Sequence, residues 1–268
     1  MVAKKCLSKV DSIERILSKL AVPSRTKSYR LIFNTQRVLQ QKVRIVDTLN
    51  KKTNKKIDMA MCALGKSDSH IDFVGLEKPV HQDVLTEIAA LKQSASDAGF
   101  DLRLASGFRS FDQQLTIWND KVNGVRPVLD ANEIPIDVNT LAEKDVVFSI
   151  LRWSALPGTS RHHWGTDVDV YDASAMPEGY SLQLTVKETL RGGVFESFYI
   201  WLDNMLCNSD SGFYRPYALD RGGVSPEPWH LSYRPLADNF AACCSVDAVV
   251  AQLTQSDIAL KHIVIANI

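Results

Sequence analysis

The chain has 268 residues, with 31 Lys+Arg against 31 Asp+Glu, and it is 45% apolar and 23% charged. That composition excludes a wholly disordered chain. The length allows one large domain, or one domain with an appendage, around a core that needs no disulfide staples.

The neutral total hides an asymmetry. Residues 1–57 hold 15 Lys+Arg and 3 Asp+Glu, leaving 16 and 28 for residues 58–268, so the two parts carry +12 and −12. The first part keeps a helical period. Ser8 and Asp11 form a capping-box pattern ahead of Ile13, Ile16, Leu17 and Leu20. Pro23 closes that helix, and a second pattern runs through Val38, Leu39, Val43, Val46 and Leu49 to KKTNKK. A basic helical hairpin of this kind suits an anionic polymer, a membrane surface or a nucleic acid. The reading preferred is a solvated positive face on an acidic body, because only Tyr29 and Phe33 interleave with the charges. No specific nucleic-acid partner is expected. Translation starting at Met59 or Met61 is a further alternative.

From about residue 70 helices and strands alternate. Val84, Leu85, Ile88 and Leu91 predict a helix that stops at Gly99. Asp101–Ala105 predicts a short strand. Ser110 and Gln113 form a capping box for a helix through Leu115, Trp118 and Val122. Residues 123–145 read as a surface insertion, and Val146–Trp153 as a helix. Asp167–Tyr171 alternates as a strand, Phe195–Cys207 reads as a helix, and Phe213–Tyr214 and Trp229–Tyr233 as short strands. Two apolar segments, 246–253 and 258–266, close the chain.

The five cysteines, Cys6, Cys62, Cys207, Cys243 and Cys244, are odd in number and contain no CxxC. They imply neither a disulfide framework nor a Cys-rich zinc site. Adjacent Cys243 and Cys244 are expected to pack as small buried groups. No apolar run approaches the roughly 18 residues needed to span a bilayer. The N-terminus MVAKKCLSKV has a positive start without an apolar stretch behind it. As written, the chain reads as cytoplasmic, with the cell envelope as the alternative.

Reactive residue types crowd into two segments, Pro157–Asp169 and Glu227-Pro228-Trp229-His230. A catalytic zinc needs three N or O ligands, an open position for water and a base beside it. His162, Asp169 and His230 with Glu227 supply that set. Gly165 gives the backbone freedom to turn from the histidine loop into the aspartate's strand. In an extended strand Glu227 and His230 would point to opposite faces. Pro228 fixes its own φ and restricts Glu227, so a turn there can bring both to one ion, with Trp229 left to shield it.

Ser-x-His-x-x-Gly-x-x-x-Asp followed by Glu-x-Trp-His resembles the zinc D-alanyl-D-alanine carboxypeptidases and dipeptidases of the VanY and VanX kind. Upstream, in the same order, stand Ser106-Gly107-Phe108-Arg109-Ser110-Phe111 and Gln114, and Gly212-Phe213 precedes the last motif. The resemblance covers about residues 70–235. With the predicted elements it implies an α+β fold: a small, mostly antiparallel sheet with flanking helices around a zinc site, in a metallopeptidase domain 58–268 behind a helical extension 1–57. It implies that His162, Asp169 and His230 hold one zinc per chain. Glu227 would activate the water and pass its proton to the leaving amine. Arg109 would stabilise the scissile carbonyl or bind substrate carboxylate, and Ser160 and Gln114 would meet substrate. His163 is an alternative ligand, but the motif register selects His162. Three departures stand out: Asp167 where a small residue is usual, Arg161 where an acidic or polar one is, and Trp164 where a smaller one is. Asp167 would make an anionic patch or face solvent at a bend.

The function implied is a zinc carboxypeptidase acting on peptidoglycan-derived peptides. A D-Ala-D-Ala dipeptidase, a cell-wall endopeptidase and a zinc-retaining binding module are the alternatives. Glu227 and Arg109 speak against the last, because a non-catalytic descendant has no need of the base.

Overall fold

The computed structural model describes residues 58–208 and 210–268, together with Gln41 and Thr48. Apart from those two residues, the expected basic extension lies outside the described residues. The chain divides into two compact units, Met1–Asn54 and Lys55–Ile268, and the fold that follows belongs to the second.

A helical turn at residues 58–63 precedes a two-stranded ribbon, β1 (Ile71–Asp72) antiparallel to β2 (Val80–His81). Helix α1 (Leu85–Asp97) buries Ile88, Leu91 and Ala95, which recur every three or four residues on one face. It ends where Gly99 takes φ +89°, a conformation that favours glycine. Strand β3 (Leu102–Ser106) leads into α2 (Phe111–Val122). The capping box there is reciprocal: Ser110 Oγ accepts from the Gln113 amide at 3.1 Å, and Gln113 Oε1 from the Ser110 amide at 2.9 Å. The expected insertion holds a small antiparallel hairpin, β4 (Val128–Leu129) and β5 (Pro135–Ile136), before α3 (Glu143–Leu151).

Then come β6 (Asp167–Asp172), α4 (Val186–Thr189), α5 (Glu196–Asn208), β7 (Phe213–Tyr214) and β8 (His230–Tyr233). Helices α6 (Arg234–Ala241), α7 (Val246–Gln255) and α8 (Lys261–Ala266) finish the chain. The central sheet is antiparallel in the order β3-β6-β8-β7. This is an α+β fold with a small antiparallel sheet and flanking helices. Among the described residues, no single helix is long and apolar enough to cross a membrane.

Alternation along β6 sorts the sheet into two unlike faces. Val168 and Val170, with Leu102, Leu104 and Leu231, join Ile88, Leu91, Phe198 and Leu202 of α1 and α5 in one core. Full burial of each such side chain is worth about 1.5–3 kcal/mol. The other face carries Asp167, Asp169, His230 and Ser232. Register sets Asp169 opposite both Ser106 and His230, and Asp167 opposite Ser232. A register shift between Leu104 and Ser106 bends β3 beside that face.

A second core gathers Phe111 and Trp118 of α2, Val147 and Ile150 of α3, Leu253 of α7 and Val264 of α8. Trp118 Nε1 donates to the Ala259 carbonyl at 3.1 Å, so the C-terminal helices brace α2. One expectation fails. Cys244 is exposed and Cys243 only half-buried, because both stand in the turn that leaves α6.

Candidate metal centre and active-site cavity

The loop before β6 delivers the first histidine. A short 3-10 turn, Arg161–Trp164, ends at Gly165 with φ +67°. A Cβ on Gly165 would run into the Ile71 side chain and the His81 backbone. Only glycine fits the corner that places His162 beside the strand bearing Asp169. The other ligand candidate arrives through a turn. The His230 amide donates to the Glu227 carbonyl at 3.1 Å, so Pro228 and Trp229 bulge out and Glu227 and His230 lie on one side. Trp229 packs into the core at 4% exposure.

His162, Asp169 and His230 each offer one ligand atom, and these atoms lie within 4.8 Å of one another, all on buried residues. His162 Nε2 is 3.4 Å from Asp169 Oδ2. His230 Nδ1 is 3.3 Å from Asp169 Oδ1 and 3.4 Å from Glu227 Oε2. The outer nitrogens are spoken for. His162 Nδ1 lies 2.9 Å from the Gly107 carbonyl, which can only accept, so that nitrogen carries the proton. His230 Nε2 lies 3.0 Å from Asp167 Oδ1 and donates to it. Both inner nitrogens therefore turn lone pairs toward Asp169, whose buried Oδ1 has no hydrogen-bond partner.

Such an arrangement is repulsive unless a cation sits within it. With no ion between them, the same carboxylates draw a second proton onto His230 instead. Burial works against a charged His230, but Asp167, Asp169 and Glu227 outweigh it and push its pKa well above the ordinary histidine range. Burial would raise Asp169, yet His162 and His230 hold it below the usual carboxylate range. Two imidazole nitrogens and one carboxylate, with a second carboxylate beside them, are the donor types of a catalytic zinc site. An all-oxygen set would suit calcium or magnesium.

Asp167 does not face solvent. It is wholly buried, and it accepts from Arg161 Nε at 2.7 Å, Thr166 Oγ1 at 2.7 Å and Ser232 Oγ at 3.0 Å, besides His230. Burial would raise its pKa, but His230 and Arg161 lower it. Arg161 goes on to Ser232 Oγ at 2.7 Å and Tyr214 Oη at 3.0 Å, and its guanidinium lies over the Trp164 ring. The two departures at 161 and 167 are thus one feature, a buried ion pair behind His230. A cation and an anion six residues apart, each at a position where its charge is unusual, was the available signal.

His163 is no ligand candidate in this structure. Its Nδ1 donates to the Arg109 carbonyl at 2.6 Å and its Nε2 accepts from the Gly158 amide at 2.9 Å. Burial brings its pKa down to about 4, which keeps it neutral in that role. Gln114 departs from its expected role. It is wholly buried, with Oε1 accepting from Arg109 Nη1 at 2.8 Å and Nε2 donating to the Ala155 carbonyl at 2.8 Å. With both ends of its amide engaged, it orients Arg109 instead of meeting a substrate.

A cavity of about 450 Å³ opens on the cluster, lined by Arg109, Ser160, His162, Asp169, Glu227 and His230 among others. Lys121, Arg126 and Tyr217 also line it, and sequence reasoning singled out none of them. Lys121 stands seven residues after Gln114, on the inward face of α2, and that spacing was its signal.

A family model described as VanY, D-alanyl-D-alanine carboxypeptidase, matches residues 77–236. Two Haemophilus influenzae proteins of uncharacterised function match as well. One is 40% identical over 83 residues and the other 48% over 67 residues. Those matches cover 31% and 25% of this chain and 63% and 46% of the relatives' own length. Among similar solved structures are two VanY proteins. A variant of the vancomycin resistance D,D-pentapeptidase VanY in complex with Zn(II) is 21% identical, with 74% of this chain and 92% of that one covered and a TM-score of 0.44. VanYB in complex with D-alanine-D-alanine is 22% identical, with 72% and 92% covered and a TM-score of 0.46.

Proposed function

The chain belongs to the VanY D-alanyl-D-alanine carboxypeptidase family, and on that premise we propose that it is a zinc-dependent carboxypeptidase that releases D-alanine from peptidoglycan-derived peptides. One observation carries the zinc part: two imidazole nitrogens face the two oxygens of one buried carboxylate, and its Oδ1 has no hydrogen-bond partner. His162, Asp169 and His230 would hold the ion. Bound there, zinc supplies a Lewis acid for the scissile carbonyl and lowers the pKa of a water.

The chain's own residues do the rest. Glu227, beside His230 Nδ1, takes the proton of the attacking water and delivers it to the leaving amine, a service worth roughly a hundredfold to ten-thousandfold. Arg109 keeps its guanidinium toward the cavity and its other contacts neutral, Gln114 Oε1 and Ser106 Oγ, so it is free to meet a carboxylate or the developing oxyanion. Ser160 borders the same space and hydrogen-bonds substrate. Asp167 fixes the tautomer of His230, as a carboxylate behind a metal-bound histidine does.

Purified protein should contain about one zinc per chain by elemental analysis, and a chelator should abolish D-alanine release from a peptide ending in D-Ala-D-Ala. Full activity in a Glu227→Ala variant would overturn the mechanism.

A further inference from the structure

The cavity has a second lining whose charges the reaction just described leaves unused. Lys121, in the last turn of α2, extends into it, and its Nζ donates to Ser154 Oγ at 2.6 Å. Among the described residues no carboxylate lies within ion-pair distance of that ammonium. Arg126 borders the same space but is paired with Asp120 at 2.9 Å and half-exposed. Arg109 has only neutral hydrogen-bond partners. Burial, then Arg109 and Arg126, bring the pKa of Lys121 down to about 8, with Glu227 opposing them. A largely buried cation without an acid costs stability unless something else supplies the anion.

Charge counting says what that anion belongs to. Asp169 and Glu227 balance a divalent zinc, and Asp167 balances Arg161. Arg109 and Lys121 remain, two positive charges facing one cavity. A peptide's terminal carboxylate answers one of them. If the leaving residue is D-alanine, that residue has no other anion to offer, so the second must sit on the acyl side of the scissile bond.

We propose that Lys121 forms a subsite for a second substrate carboxylate, so that the preferred substrate is an acidic peptide with a free carboxylate N-terminal to the bond that is cut. This rests on the zinc carboxypeptidase reading and narrows its substrate class.

The test uses zinc-loaded protein and two peptides ending in D-Ala-D-Ala, identical except that one carries a free side-chain carboxylate before those residues and the other its primary amide. The wild type should favour the acid by about tenfold or more in kcat/KM, the scale of one charge-assisted hydrogen bond. Lys121→Gln should bring the acid-to-amide ratio within about twofold of unity, and Lys121→Arg should keep most of the preference. A wild-type ratio near one overturns the subsite while leaving the peptidase reading intact. A wild-type preference that survives unchanged in Lys121→Gln also overturns it. Release of D-alanine from neither peptide overturns both readings together. Should the glutamine variant fail to fold, the arginine variant and the wild-type ratio decide: a wild-type preference kept by arginine supports the subsite, and its absence in the wild type removes it.

Discussion

Two linings of one cavity treat charge in opposite ways. On the β6–β8 side the charges are either paired inside the protein or gathered on one ion site. Asp167 receives hydrogen bonds from Arg161, His230, Thr166 and Ser232, and Asp169 and Glu227 stand against imidazoles. On the α2 side Arg109 and Lys121 are held by neutral oxygens alone. Charges answered within the chain fix geometry, because moving either partner strands the other. Charges left unanswered are available to a ligand. The first lining is built to hold an ion still, and the second to meet whatever enters.

The hardest way to break this contrast is at the ion. Asp169→Ala removes the one acidic ligand candidate and should abolish both zinc retention and D-alanine release, read by elemental analysis and by product assay on the same sample. Glu227→Gln should separate the functions of the first lining. It keeps the shape and loses the base, so kcat should fall by roughly a hundredfold to ten-thousandfold while zinc content holds. Loss of zinc in that variant would make Glu227 a ligand and not the base.

A gentler cut lies behind His230. Asp167→Ser alone should cost several kcal/mol of stability, about 3–5 by analogy with other broken buried pairs, because Arg161 is left stranded. The double variant Arg161→Gln, Asp167→Ser removes both charges and should recover much of that stability. Zinc affinity should not recover. Competition with a chelator should show it about tenfold to a hundredfold weaker than wild type in single and double variants alike. If affinity returns with stability, Asp167 is only part of the scaffold.

How far these linings can be read without coordinates differs in the same way. Local rules succeeded where local forces decide. The Ser110–Gln113 capping box, the stop at Gly99 and the turn forced by Pro228 all involve neighbours within a few residues, and each stands as expected. Asp167 stays open between an anionic patch and a solvated bend, because alternation in a strand says only that two faces differ. Whether the polar face meets water depends on Arg161, Ser232 and Tyr214, and the last two lie far along the chain. A lysine near a helix end is ordinarily solvated, so the spacing from Gln114 alone does not single out Lys121. That it instead faces the cavity beside Ser154, Arg109 and Arg126 is decided by residues outside α2. Gln114 reads as a pocket residue until the Ala155 carbonyl, 41 residues away, is seen to take up its amide.

The finest adjustment to the contrast is at the cap of α2. Ser110 follows Arg109 directly, and its hydroxyl holds the first turn of the helix whose last turn carries Lys121. Removing that hydroxyl in Ser110→Ala should cost about 1 kcal/mol of stability, visible as a lower urea midpoint with an unchanged slope. The metal ligands' rings are held elsewhere, His162 by Gly107 and His230 by Asp167, and the link from this end of α2 to His162 runs through the Arg109 backbone amide, which the Ser110 hydroxyl does not touch. Zinc affinity should therefore stay at the wild-type value. The α2 side does have a stake, because fraying of the first turn loosens Gln113, Gln114 and the guanidinium that Gln114 orients. A rise in KM with kcat nearly constant is the expected signature of such loosened binding. A matching loss of zinc affinity would mean that the two linings are mechanically one, and the division between a holding side and a meeting side would fail.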